Sequence, residues 1–313
     1  MSGTVNSARP ASPKLDTQPG GATVATEPVP TPAPAPARVD LIEVNRVFHD
    51  HECHYYDRRF AIVHDARSAQ LARAEVEGLL GRPLARHDVV LDVGCGTGWF
   101  AAGLRRALSD GAARVIGADL SAGMLSRARD AGAWPLLQAD ATRLPLRTGS
   151  VDVVVCRGVL HHLPDVPAAL REWRRVLRPG GAVVVASEPT PAVDRHGGVL
   201  VRGLLPVLRR GLSAEEDFWE VASMAANLHV FSPPQLAELA GAAGFGQARL
   251  HAADLVSTLV LTASYVVHGR RPRLARLLPW RAAESVGRRF DGLISDRLLP
   301  GRWRHTVVGV LRP

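Results

Sequence analysis

The chain has 313 residues, of which 46% are hydrophobic and 5% aromatic, so it can bury a sizeable core. Its three cysteines exclude a dense disulfide framework, and the sequence shows neither a secretory signal nor an apolar run long enough to span a bilayer. We therefore expect a cytoplasmic protein. The net charge of +8 is concentrated at one end, because residues 268–313 hold 11 arginines and 3 acidic residues.

The beginning of the chain divides by composition into two segments. Residues 1–38 are rich in Pro, Ala and Thr and are predicted to form a disordered tail, because they bury too little apolar surface. Residues 39–82 are predicted to be helical and include a helix from Ala66 to Leu80. Within them His49, His51, Cys53 and His54 form a cluster that fits either a metal site or an amphipathic helix with exposed histidines, and the spacing matches no standard zinc pattern.

The rest of the chain is organised around Val89 to Gly98. Five strand-forming residues end in Gly94, Gly96 and Gly98, and helical spacing resumes immediately afterwards. A buried strand, a glycine turn and a helix are typical of the nucleotide-binding start of a doubly wound parallel sheet. The same glycines also fit a dinucleotide pattern, Gly96-x-Gly98-x-x-Ala101, and a purely structural turn.

Four ordered motifs then carry a resemblance to a family. They are Leu91-Asp-Val-Gly-Cys-Gly-Thr-Gly98, Ile116-Gly-Ala-Asp-Leu-Ser121, Gln138-Ala-Asp-Ala141 and Val159-Leu-His-His-Leu163. Together they resemble a class I S-adenosylmethionine (SAM)-dependent methyltransferase of the ubiquinone/menaquinone-methyltransferase-like group. The resemblance implies a Rossmann-like seven-stranded, mostly parallel sheet with an antiparallel last strand and helices on both faces. It assigns residues 83–313 to this domain, with insertions at about 195–230 and 256–302.

The resemblance also implies a set of cofactor-binding residues. Asp119 is expected to bind the SAM ribose, although it also fits a helix cap. Asp140 is expected to bind the adenine amine, although it also fits a turn. Tyr56 and Asp57 fit a helical lid that closes over the cofactor. The complete set for SAM is Tyr56, Asp92, Gly94, Gly96, Gly98, Asp119, Leu120, Asp140, Ala141 and Arg157.

Methyl transfer needs a nucleophile aligned behind the methyl group, and a base assists it. His161 and His162 are the candidate bases, and either one, or neither if the pair only shapes the turn, fits the sequence. Glu188 follows the fifth strand and fits a substrate-orienting residue or a solvated acid. The acceptor is expected to be a small molecule; O-methylation is the first expectation, and C- or N-methylation stays open.

The first insertion is expected to build the acceptor pocket. Residues 197–228 are predicted to be largely helical, with Trp219, Met224, His229 and Phe231 as candidate acceptor-pocket residues. In the second insertion an apolar helical stripe fits packing on the core or on a second subunit, and it also fits approach to a membrane or a lipid-linked acceptor. The stripe consists of Val286, Phe290, Leu293, Ile294 and Leu298.

Two rival functions fit part of the sequence. The dinucleotide pattern fits an NAD-dependent oxidoreductase, and the SAM-type motifs alone also fit a non-catalytic SAM-binding protein. No nucleic-acid partner is expected, because the basic stretch lacks interleaved aromatic residues. No metal is expected.

Overall fold

A seven-stranded sheet forms the centre of the molecule. The computed structural model describes residues 40–313 apart from 61, 109–112, 134, 194, 197–226 and 271. The strands follow the order β3-β2-β1-β4-β5-β7-β6. Their bounds are β1 Asp88–Val93, β2 Ala113–Asp119, β3 Leu136–Gln138, β4 Val151–Arg157, β5 Leu177–Pro189, β6 Gln247–Ala253 and β7 Thr306–Arg312.

Strand direction confirms the predicted sheet. Strands β1 to β5 pair in parallel, and β7 lies antiparallel between β5 and β6. The order changes direction at β1 and β4, and ligands bind beyond the carboxyl ends of the strands at such a switch point.

Helices cover both faces of the sheet. On one face α3 (Ala66–Leu80), α4 (Trp99–Ala107) and α5 (Ala122–Asp130) pack on Val90, Val153 and Val184. On the other face α6 (Val166–Val176) and α7 (Pro233–Ala242) pack on alternate residues of the same strands, with Trp173 fully buried. The continuous apolar runs of β1, β4 and β5 follow from this double coverage.

A short helix at the beginning of the described chain crosses the carboxyl edge of the sheet. Helix α1 (Leu41–Glu52) is capped by Asp40, and α2 (Tyr56–Arg59) follows it. Asp50 Oδ1 accepts hydrogen bonds from Ser121 Oγ at 2.6 Å and from Gly123 N at 2.9 Å, so α1 is bound to the beginning of α5. At its other end Asn45 Nδ2 donates to the carbonyl of His162 at 3.1 Å.

The segment between β6 and β7 is helical. It contains α8 (Val256–Arg270), α9 (Pro272–Ala275), α10 (Trp280–Phe290), a π-helical turn (Asp291–Ser295) and α11 (Asp296–Leu298). The expectation that its apolar stripe packs on the core is wrong, because all five side chains of the stripe are exposed. Among the described residues, none of the helices has the length and hydropathy required to span a membrane.

Candidate active site

The glycine turn after β1 has three glycines in left-handed backbone conformation. Gly94 has φ 66°, and a Cβ there would overlap the side chain of Val159. Gly98 has φ 77°, and its Cβ would lie 2.7 Å from the backbone of Ala128 in α5. Gly96 has φ 54°, but its Cβ would meet open space. Two glycines therefore permit close packing, and Gly96 leaves room for a ligand.

Asp119, at the end of β2, is in direct contact with this turn. Its Oδ2 accepts a hydrogen bond from Gly96 N at 2.8 Å, and its Oδ1 accepts one from Ser121 N at 2.9 Å. Burial raises the pKa of this carboxyl, and the backbone N–H of Ser121 and the charge of His49 oppose that rise. Each carboxylate oxygen keeps a further lone pair after these bonds, so Asp119 can still accept from the hydroxyls of a ligand.

Asp92 provides a buried acceptor at the base of the same turn. Its side chain is 2% exposed, and within the described part of the chain its Oδ2 has no hydrogen-bond partner. Burial and the neighbouring charge of Asp119 raise the pKa of Asp92 to about 8, which Arg157 and a backbone N–H from Ala101 oppose. A buried, unpaired carboxyl beside an open cavity favours a cationic or hydrogen-bond-donating ligand.

The predicted lid residues contact the glycine turn. Asp57 Oδ1 accepts a hydrogen bond from Thr97 Oγ1 at 2.6 Å, and Asp57 Oδ2 lies 3.0 Å from His64 Nε2. The indole N–H of Trp99 donates to the carbonyl of Val63 at 3.0 Å. Burial raises the pKa of Tyr56 above its usual range, and the nearby carboxylates of Glu52 and Asp119 add to the effect. Tyr56 is therefore a neutral side chain of the predicted lid, and it lines the cavity beside the glycine turn.

Arg157, at the end of β4, is fixed by two neighbours. Its guanidinium forms an ion pair with Glu75 of α3 and lies 5.2 Å from the centre of the Trp99 ring. Its side chain is largely buried at the cavity wall. The guanidinium therefore supplies a fixed positive charge near Asp92 rather than a free anion-binding group.

His161, which lines the cavity beside the glycine turn, forms a pair with Glu188. Glu188 is fully buried, and its carboxylate accepts hydrogen bonds from the backbone N–H groups of Val159, Leu160 and His161 at 2.8, 2.9 and 3.2 Å. Its Oε2 lies 3.0 Å from Nδ1 of His161. Burial raises the pKa of Glu188, but the hydrogen bond and charge of His161 and these N–H groups outweigh burial and lower it.

An ionised carboxylate has no proton to donate, so Nδ1 of His161 carries the proton in this pair. The Nε2 atom of His161 is then the basic nitrogen. His162 differs from it, because its ring packs edge-on against His49 with 5.0 Å between the ring centres. The structure thus separates two histidines that the sequence left equivalent.

One cavity of about 1220 Å³ is lined by Asp92, Gly96 and His161, so it joins the glycine turn to the candidate base. It exceeds the volume of ~300–1,000 Å³ that is usual for a single-ligand pocket, so it can hold a cofactor and an acceptor together. Helices α1, α3 and α10 complete its walls. The predicted site residues that line it are Tyr56, Asp92, Gly94, Gly96, Arg157, His161 and His162.

Five predicted cofactor residues lie outside this cavity's lining, and one of them is Asp119, which contacts the lining residue Gly96. Gly98 packs on α5, and the carbonyl of Leu120 accepts from Gln138 Nε2 at 3.2 Å. Asp140 Oδ1 accepts from Thr142 N at 2.8 Å and from Thr142 Oγ1 at 2.9 Å, as a turn aspartate does. The carbonyl of Ala141 accepts from the Trp173 indole at 3.0 Å. Their roles toward a cofactor stay predictions.

The structure contradicts two of the sequence-based expectations, the pocket role of Phe231 and the solvated position of Glu188. Phe231 is a wrong choice, because it is buried in the core beside Leu236 instead of lining the cavity. His229 contributes its Nε2 to a hydrogen bond with the Leu163 carbonyl at 3.0 Å. Trp219 and Met224 lie outside the described residues. Glu188 is not a solvated acid, because it is buried under the turn that carries His161.

Several functional contacts escaped the sequence analysis. Asp50, Glu75 and Thr97 join elements far apart in the chain. Asp50 lies within the histidine-rich cluster and Thr97 within the glycine motif, whereas Glu75 belongs to neither. In the histidine-rich cluster Cys53 is buried and donates to the Asp50 carbonyl at 3.1 Å. Among the residues described, no group of three or more His, Cys, Asp or Glu side chains has a metal-binding arrangement.

Comparisons with known proteins agree with this geometry. Residues 91–185 match the model of a methyltransferase domain family. The chain is 34% identical over 189 residues to a ubiquinone/menaquinone biosynthesis C-methyltransferase of Xanthomonas oryzae pv. oryzae, covering 55% of this chain and 71% of the relative. It is 37% identical over 141 residues to a malonyl-[acyl-carrier protein] O-methyltransferase of Serratia marcescens, covering 44% of this chain and 53% of that relative.

A solved structure shares the fold. It is the phosphoethanolamine N-methyltransferase 2 of Haemonchus contortus in complex with SAM, with a TM-score of 0.54 and 18% identity, covering 88% of this chain and 61% of that one. The chain belongs to the class I SAM-dependent methyltransferases, in the ubiquinone/menaquinone-methyltransferase-like group. It is a SAM-dependent methyltransferase, and the open space at Gly96 and the unpaired Asp92 carboxyl fit that cofactor.

Proposed function

We propose that the chain transfers a methyl group from SAM to a small molecule that bears an acidic hydroxyl, with His161 as the general base. The pairing of His161 with the buried carboxylate of Glu188 at the cavity wall supports this proposal most directly. The bound cofactor supplies an electrophilic methyl group on a sulfonium. The remaining work of the protein is to hold the cofactor, align the acceptor and remove a proton.

Glu188 fixes both the orientation and the tautomer of the base. Because Nδ1 donates to the carboxylate, Nε2 can accept the proton of an acceptor hydroxyl, and the imidazolium that results is stabilised by the ionised Glu188. A base oriented in this way typically contributes ~10²–10⁴-fold to the rate. His162 is assigned to shaping the turn and contacting the lid.

The cofactor is assigned to the other half of the cavity. Asp119 would accept hydrogen bonds from its ribose hydroxyls, since both oxygens are fixed by backbone donors and keep free lone pairs. Asp92 would face its positively charged groups. Tyr56 and the Asp57–Thr97 hydrogen bond would close the lid over it and exclude water, which competes as a nucleophile.

Oxygen is the first candidate for the methylated atom, because a deprotonated hydroxyl needs only alignment. A relative whose name specifies an O-methyltransferase supports this choice. Carbon is the second candidate, because a ring carbon beside an ionised hydroxyl is also nucleophilic, and a relative named as a quinone-pathway C-methyltransferase supports it. N-methylation and a lipid-linked or secondary-metabolite acceptor stay compatible with the same base and cavity.

The acceptor is best identified with the protein itself. The enzyme is incubated with methyl-labelled SAM and a small-molecule extract from its source organism, and each labelled product is identified together with the methylated atom. A labelled O-methyl ether or ester supports the first candidate, and label on ring carbon supports the second. Tight SAM binding without any labelled product would instead favour a non-catalytic SAM-binding protein.

The role of His161 is tested by a matched pair of substitutions. His161→Gln should lower the rate of labelled-product formation by about 10²-fold or more while SAM affinity stays unchanged, because only proton removal is lost. His162→Gln should retain most of the rate. Equal rates for the two variants, or a loss of SAM affinity that accounts for the whole effect in His161→Gln, would contradict the assignment of the base.

A further inference from the structure

The helical run from Trp280 to Leu298 has an inverted distribution of side chains. The side that faces the protein carries Gly287, Asp291 and Ser295, all of them buried. Gly287 packs against the backbone of Ser257, and Asp291 accepts hydrogen bonds from Val256 N, Ser257 N and Ser257 Oγ at 2.6–2.9 Å. Small and polar residues thus attach this run to α8.

The opposite side carries large apolar residues in solvent. We call Val286, Phe290, Leu293, Ile294 and Leu298 the apolar ridge, and the exposed fractions of Val286, Leu293 and Leu298 are 66%, 65% and 75%. A water-exposed helix normally has the reverse pattern, with its apolar side on the core. An exposed apolar cluster of this kind marks an interaction surface.

The charges around the ridge distinguish between possible partners. Arg289 and Arg297 are each four residues from Leu293, so they lie on the same side of the run, and both are exposed. In a symmetric contact between two copies the same surface meets itself, so two sets of these arginines would share one interface. Anionic lipid headgroups instead complement them while the apolar side chains enter the acyl boundary.

The ridge also continues into the active-site cavity. Val286 and Arg289 line that cavity together with Asp92, Gly96 and His161. A surface that met the ridge would therefore lie at the entrance used by the acceptor. An apolar acceptor could then pass from an acyl layer into the cavity without crossing bulk water.

We propose that the apolar ridge docks this protein on the surface of an anionic lipid bilayer. Leu293 and Leu298 enter the headgroup–acyl boundary, and Arg289 and Arg297 contact lipid phosphates. Delivery of an apolar acceptor from the bilayer rests on the proposed function, whereas the docking itself needs only the ridge. The two therefore fail independently, because lipid binding is measured without SAM or acceptor.

The test is sedimentation of the full chain with vesicles made of equal parts phosphatidylglycerol and phosphatidylcholine, compared with phosphatidylcholine alone. The wild type should bind the anionic vesicles, and Leu293→Ser with Leu298→Ser should lower the partition coefficient by about tenfold or more. Arg297→Gln should lower binding to the anionic vesicles by about fivefold and leave binding to neutral vesicles unchanged.

Matched controls use equivalent residues away from the ridge. Ile42→Ser with Val47→Ser removes two exposed aliphatic side chains of α1, and Arg147→Gln removes an exposed arginine; both should bind like the wild type. The thermal midpoint of each variant confirms folding.

Three results would overturn the proposal. They are no binding of the wild type to anionic vesicles, an equal loss in the controls, and a wild-type dimer in solution that the ridge variant dissociates while vesicle binding is absent in both.

Discussion

Two carboxyl groups that differ in ionisation define the chemistry of the cavity. Asp92 is buried without a partner for one oxygen, and its pKa is raised to about 8 by burial and by the charge of Asp119. Glu188 is equally buried, but hydrogen bonds from His161 and from backbone N–H groups lower its pKa. At neutral pH Asp92 is therefore a neutral acid and Glu188 an ionised one, so only Glu188 can stabilise a protonated histidine.

The raised pKa of Asp92 makes cofactor binding sensitive to pH. The free folded protein keeps this proton up to about pH 8, whereas the unperturbed pKa is 3.8. A cationic group bound next to Asp92 lowers its pKa, so binding at pH 7 should release close to one proton. SAM affinity should consequently increase as the pH is raised, by up to about tenfold per pH unit below pH 8, and level off above pH 8.

Calorimetry in buffers with different ionisation enthalpies measures this released proton directly. Asp92→Asn keeps the shape of the side chain and should bind SAM without the proton release and without the pH dependence. A wild-type binding enthalpy that is independent of the buffer at pH 7 would mean that Asp92 does not titrate with the cofactor.

At the scale of elements, the turn after β1 combines two different uses of glycine. Gly94 and Gly98 let β1 and α4 approach Val159 and α5, respectively, and Gly96 keeps the cavity open. Ser187, before Glu188, has φ 58° without being glycine, so the wall that carries the base also contains backbone strain. Left-handed backbone therefore occurs both in the turn after β1 and near the end of β5.

Alanine substitutions separate these uses. Gly94→Ala should lower the free energy of unfolding by about 2 kcal/mol or more, because the left-handed backbone and the overlap with the stiff Val159 side chain add together. Gly96→Ala should cost about 1 kcal/mol of stability from backbone strain alone. Its larger effect should be on SAM affinity, since its Cβ would enter the open cavity.

Denaturant unfolding and SAM titration of the same two variants check this prediction. If Gly96→Ala destabilised the fold as much as Gly94→Ala and bound SAM normally, the open space at Gly96 would have no role in binding.

At the scale of the whole molecule, local patterns predicted the fold and one part of the site. The strand, glycine turn and helix around Gly96 and the acid that ends β2 follow from short-range sequence, and the structure joins Gly96 to Asp119. The pairing of His161 with Glu188 was not predicted, because it connects the turn after β4 to the end of β5 across 27 positions of the chain. The contact of Asp50 in α1 with Gly123 in α5 is likewise a tertiary contact without a local pattern.

The apolar stripe shows why periodicity alone was insufficient. Helical spacing identified Val286, Phe290 and Leu293 as one side of a helix, but spacing does not say which side faces the core. The contacts of Gly287 and Asp291 with α8 decide this, and they direct the stripe outward. The prediction that Phe231 lines the acceptor pocket is wrong for a related reason. Burial in the core and burial in a pocket have the same sequence pattern.

The central claim is that Asp119 holds SAM at the glycine turn. Calorimetric titration of SAM into the wild type and into Asp119→Ala tests this claim most directly. Loss of this half-buried carboxylate acceptor should weaken SAM binding by roughly tenfold or more, while Asp130→Ala, which removes an exposed acid from the end of α5, should bind like the wild type. Thermal unfolding of each variant confirms that the fold is retained. Unchanged SAM affinity in Asp119→Ala, or a wild type that binds NADH in preference to SAM, would contradict the account.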